Sequence, residues 1–166
     1  FYPGAFMLIR EHISSFVPSP LLGPNLDKLG PRFPDMSAVY SPRLAALVQQ
    51  AAAKQGLELF SGTYLQVGGP NFETPGEIRM FRLLGADACG MSTGVESIAA
   101  RHMGMDVCGI SCISNLAAGM SKTPLTHEEV QETADRVSRQ FAALISTSIA
   151  AAGQSKQSAG KGQETL

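Results

Sequence analysis

Residues 68–97 read GGPNFETPGEIRMFRLLGADACGMSTGVES and hold two strand-to-helix junctions. At the first, the apolar run 64–67 enters the pair Gly68-Gly69. Thr74-Pro75-Gly76-Glu77 then has the form of a capping box with proline at the first helical position. Phe72 and Glu73 therefore fall on the loop just before a helix. At the second, the small and apolar run 86–91 leads to Ser92 and to a second expected capping box, Thr93 to Glu96. Ser92 is thus expected beside free backbone N–H groups at a helix N-terminus, which attract phosphate. Strand alternating with helix makes this an α/β chain, and such sheets bind ligands at these junctions. An aromatic face, a carboxylate and an anion site together point to a ligand with a ring at one end and a phosphate at the other.

Outward from this stretch, residues 5–10 (AFMLIR) form an expected buried strand. Residues 14–36 carry five prolines and no sustained periodicity, so they are expected to form a long loop, either functional or disordered. Ser41-Pro42 opens a helix running through Lys54, stopped by Gly56, with Leu44, Leu47 and Val48 facing the sheet. Residues 57–67 are expected to be a strand or strand pair; Tyr64 belongs to the core or closes a pocket, core being the better reading. Residues 95–102 form a helix ending in Arg101 and His102, and His102 reads as a helix-end cation rather than a catalytic group. The run 107–113 has no polar face, as expected of a covered parallel strand, and ends at Ser114-Asn115. Asparagine there marks either a ligand contact or a turn. Residues 116–126 form a candidate lid. Thr126 caps a last helix whose inward stripe is Val130, Ala134, Val137, Phe141, Leu144 and Ile145. His127, taken alone, reads as a solvated surface residue. Residues 1–151 make one unit, and the small, polar residues 152–166 are expected to be a disordered tail.

The 166 residues suit one domain, and 44% hydrophobic residues can build its core. Only 16% are charged and the net charge is −1, so no basic stripe offers a nucleic-acid surface and no charge block a membrane one. The apolar runs are too short to span a bilayer, and no signal peptide is recognisable. Cys89, Cys108 and Cys112 lack metal-ligand spacing and read as buried, reduced thiols of a cytoplasmic protein.

GGPNFETPGEIRM and LGADACGMSTGVES resemble the central signature of the low-molecular-mass, homotrimeric purine nucleoside phosphorylases. The likeness covers residues 5–149. AFMLIR is similar to the family's GDIMLIRDHIN segment, with Glu11 in place of its aspartate and Ser14 in place of its asparagine. The resemblance implies a mixed, mostly parallel central sheet flanked by helices in three α/β/α layers. It also implies that this chain is a fragment lacking about the N-terminal half, inactive by itself, and that phosphate is a co-substrate with no cofactor and no metal. The partners implied are a purine nucleoside, phosphate and two further copies of the chain.

Residue by residue, the resemblance implies that Glu73 accepts from N1–H of a 6-oxopurine and that Asn115 donates to N7 or O6. Phe72 and Cys89 would line the base slot, Met91 would lie under the ribose, Ser92 would hold phosphate, and His127 would reach the sugar 5′-hydroxyl. Phe16 is the candidate to cross a subunit interface, although an aromatic pinning its own loop to the core explains it equally well. Asn115 rather than a carboxylate favours hypoxanthine and guanine over adenine. The alternatives are a methylthioadenosine phosphorylase-like sister enzyme and a non-catalytic purine-binding module.

Overall fold

The computed structural model describes residues 1–121 and 124–161. In chain order the elements are β1 (Phe6–Ile13), α1 (Pro42–Lys54), β2 (Leu59–Gln66), α2 (Pro75–Leu83), β3 (Ala88–Gly90), α3 (Gly94–His102), β4 (Gly109–Cys112) and α4 (His127–Lys161). They build one four-stranded sheet in the order β3-β2-β1-β4. β1 and β2 are parallel, as are β2 and β3, while β4 runs antiparallel to β1.

β1 is the centre because its side chains are apolar on both faces. Phe6 and Leu8 pack with Val48, Ala51 and Ala52 of α1 and with Val137 and Leu144 of α4. Ala5, Met7 and Ile9 turn the other way, toward Tyr40, Tyr64 and Ile113. Helix α1 begins where Ser41 Oγ accepts from Leu44 N–H, with Pro42 in the first turn, and the chain then turns at Gly56 with φ 63°. Gln55 Nε2 donates to Thr147 Oγ1 at 3.1 Å, tying the end of α1 to α4. At the start of α4, Thr126 Oγ1 accepts from Glu129 N–H at 3.2 Å.

Several expectations are corrected. The run 107–113 yields only β4, and β4 is antiparallel; Val107 makes a lone parallel bridge to Tyr40 instead. A continuous apolar run reports cover on both faces and carries no information on direction, which the preceding connection sets. On α4, Ala134 is exposed and Thr133 takes the inward place, with 6% of its surface exposed. A one-residue error in phase turns a helical side chain by about 100°. The tail expected from residue 152 is partly helix, since α4 runs on to Lys161; residues 162–166 lie outside the described chain. Phe16 packs on Phe81 of α2 with ring centroids 5.6 Å apart, and 45% of its surface stays exposed. His102 is buried at the end of α3, and its Nε2 has no hydrogen-bond partner among the described residues.

Candidate active site

At the first junction the capping box forms as expected. Thr74 Oγ1 accepts from Glu77 N–H, and Glu77 Oε2 accepts from Thr74 N–H at 2.7 Å. These bonds to Thr74 hold the Glu77 carboxyl below its usual range, because they favour the charged form. Glu77 is thereby occupied with the helix end, and Asp87 accepts from Thr63 N–H at 2.8 Å; Glu73, four residues before Glu77, lines the cavity together with Asp87. Gly69 lies at φ 67°, and a Cβ there would strike the Met91 side chain. The two junctions thus meet through a glycine that lets methionine close over it.

At the second junction the expected capping box does not form. Thr93 lies at φ 81° and its side chain makes no cap hydrogen bond. The N–H of Gly94 donates to the Ser92 carbonyl at 3.0 Å, and the N–H of Val95 donates to Gln66 Oε1 at 2.8 Å. Two of the N–H groups expected to await an anion, those of Gly94 and Val95, are therefore used within the protein. What the turn presents to the cavity is a pair of hydroxyls, Ser92 Oγ and Thr93 Oγ1, 3.1 Å apart.

Between the junctions lies a cavity of about 600 Å³, large enough for a nucleoside-sized ligand. Tyr64, Phe72, Glu73, Cys89, Met91, Ser92 and Asn115 all line it. Asn115 reaches it from the loop after β4, not from the end of a parallel strand as its sequence context led us to expect. Beside it, a recess of about 220 Å³ is enclosed by Phe72, Glu73 and the candidate lid residues Ala117, Gly119 and Leu125. His127 is exposed at the first position of α4 and lines neither space, whereas Val130, one turn on, does line the larger one.

Burial is the main force pushing the Cys89 thiol up to about 12, followed by the charge of Glu73 and a hydrogen bond to it. At neutral pH Cys89 is therefore a protonated wall and a donor to Glu73, not a nucleophile. Tyr64 is only 5% exposed and so belongs to the core, yet its phenol reaches the cavity. Burial raises its pKa, and hydrogen bonds from the Ser92 hydroxyl and N–H oppose that rise. The tyrosine thus sits at the Ser92 end. Gly90 makes room for it, since a Cβ there would strike the phenol oxygen.

A family model described as the phosphorylase superfamily matches residues 1–150. The chain belongs to the phosphorylase superfamily. Among relatives of this phosphorylase-superfamily chain, purine nucleoside phosphorylase 1 of Geobacillus stearothermophilus is 52% identical over 145 residues, covering 87% of this chain and 53% of its own length. The Bos taurus purine nucleoside phosphorylase is 42% identical over 165 residues, covering 92% and 56%. A Schistosoma purine nucleoside phosphorylase solved with hypoxanthine superimposes with a TM-score of 0.84 at 33% identity, over 89% of this chain and 55% of that one. The Schistosoma mansoni enzyme solved with adenosine has the same TM-score at 32% identity. The chain spans about half the length of the curated relatives it matches. Its fold is the mixed, mostly parallel α/β fold of these phosphorylases.

Sequence reasoning missed Gln66 and Thr93. A glutamine within an apolar strand was the available signal for the first, since a buried amide requires partners. Among the described residues no cluster of His, Cys, Asp and Glu could hold a metal ion, and no helix is long and apolar enough to cross a membrane.

Proposed function

We propose that the protein carrying this chain is a purine nucleoside phosphorylase acting on 6-oxopurine nucleosides: inosine, guanosine and their deoxy forms. The observation that carries this reading is the meeting of Glu73, Asn115 and Ser92 on one cavity. In the proposed reaction a phosphate oxygen bonds to the sugar C1′ while the bond from C1′ to the purine nitrogen breaks, and that electron pair leaves on the base. Asn115 donates its side-chain N–H to N7 or O6 as negative charge grows there. Glu73 accepts from N1–H, a proton that a 6-oxopurine has and adenine lacks. Phe72 and Cys89 bound the base and Met91 the sugar. The hydroxyls of Ser92 and Thr93 hold the phosphate, which is a co-substrate, and the scheme needs no organic cofactor or metal.

His127 reaches the sugar 5′-hydroxyl only if the start of α4 shifts toward the cavity. The protein is proposed to assemble as a cytoplasmic homotrimer, which light scattering would read as three times the subunit mass. Release of hypoxanthine from inosine that depends on added phosphate is the decisive assay. Binding of hypoxanthine without such release would leave only a purine-binding module. The adenosine complex of the Schistosoma mansoni relative makes adenosine the comparison that counts. Adenosine turnover equal to that of inosine would overturn the 6-oxopurine assignment, and preference for methylthioadenosine would indicate a sister enzyme.

A further inference from the structure

The turn that offers the two hydroxyls is strained. Thr93 has φ 81° and ψ −46°, and the Gly94 N–H closes back on the Ser92 carbonyl. This is the rare form of γ-turn, here centred on a β-branched residue. Such a backbone persists only where its surroundings over-determine it. Part of the restraint comes from the Tyr64 phenol, which is hydrogen-bonded to Ser92 and Thr93, and part from the last residue of the neighbouring strand. Gln66 is 5% exposed, and its side chain spans the turn. Oε1 accepts from Val95 N–H at 2.8 Å, on the helix side, and Nε2 donates to the Met91 carbonyl at 3.4 Å, on the strand side. Gly94 makes the approach possible, because a Cβ there would lie 2.8 Å from Gln66 Oε1. Ser92 and Thr93 line the cavity and Gln66 does not.

We propose that Gln66 is a positioning residue for phosphate: it clamps Met91 and Val95 so that the strained turn keeps the Ser92 and Thr93 hydroxyls aimed into the cavity, and it sets phosphate affinity without touching phosphate. This rests on the phosphorolysis reading above. Without the clamp, Val95 N–H loses its acceptor, and Thr93 gains by relaxing to negative φ and capping α3 in the ordinary way. That relaxation swings both hydroxyls.

The test compares Gln66→Leu and Gly94→Ala with the wild type in the protein carrying this chain. Gln66→Leu keeps bulk and deletes both bonds, and Gly94→Ala crowds the amide while leaving it in place. Where Gln66→Leu fails to fold, Gly94→Ala carries the comparison. Varying phosphate at saturating inosine, the phosphate KM is expected to rise about tenfold, near the net worth of one hydrogen bond, while the inosine KM stays within about twofold. An unchanged phosphate KM overturns the proposal. So does a parallel rise in both constants, which a merely structural residue would produce. Hydrogen exchange at the Val95 amide is independent of catalysis, and is expected to be slow in the wild type and fast in Gln66→Leu. If the wild type releases no hypoxanthine, the functional reading fails by itself, and unaltered exchange at Val95 then removes the clamp as well.

Discussion

The two strand-to-helix junctions look alike on paper and are built differently. Each has threonine followed three residues later by glutamate. At Thr74 the box closes between neighbours: its hydroxyl and N–H and the carboxylate and N–H of Glu77 are all engaged locally. At Thr93 the backbone has turned to positive φ, the hydroxyl faces the cavity, and Gln66, remote in sequence, caps the helix instead. A local motif is realised when nothing else claims its groups. Where the turn draws the threonine away from the helix end, the cap is supplied from another strand.

The largest expected effect tests whether the first junction carries the base. Glu73→Gln should lower kcat/KM for inosine about a hundredfold, as the loss of a hydrogen bond to a charged group would, with the melting temperature unchanged because the loop bears no core. Kinetics equal to the wild type would place the base elsewhere. Asn115→Asp should shift the ratio of inosine to adenosine turnover toward adenosine about tenfold, since a carboxylate accepts from the 6-amino group; an unmoved ratio would remove Asn115 from specificity.

The contrast between the junctions themselves is smaller and is read by denaturant unfolding. Thr74→Ala should destabilise the protein by about 1 kcal/mol through loss of the cap, whereas Thr93→Gly should be neutral or stabilising because glycine tolerates the observed φ. Equal losses at both sites would mean that Thr93 caps in solution after all. The smallest effect lies where the junctions touch. Burial, then the charge and hydrogen bond of Glu73, raise the Cys89 thiol to about 12. The raised value means that the thiolate is scarce at neutral pH and grows only as the pH climbs toward that value. Removing the charge lowers the pKa, so Glu73→Gln should speed alkylation of Cys89 about threefold at alkaline pH, read by peptide mass spectrometry. A rate unaffected by the substitution would separate the two residues.

Much of the site was legible because its parts are local. The stretch around Glu73 and Ser92 announces loops before helices through proline, glycine and threonine, and nine of the residues lining the larger cavity come from it. His127 was not placed there, since its role came from resemblance and its own position is an exposed helix start. Asn115 reaches the cavity although β4 runs opposite to the parallel strand expected before it. Strand direction depends on how the connecting segment crosses the sheet, and no short window of residues records that.

By itself, then, the sequence determined most of the helices and strands from β1 to α3, where α1 and α2 begin, and which side chains are offered at the two junctions. Those follow from φ preferences, caps and apolar spacing within a turn or two of chain. Only the tertiary structure decided that β4 is antiparallel, that Glu73 shares a cavity with Asn115, and that Gln66 rather than Thr93 caps α3. A hydrogen bond is made by whichever partner the packed chain brings within about 3 Å, and burial forces an amide like that of Gln66 to find one, however far along the sequence it lies.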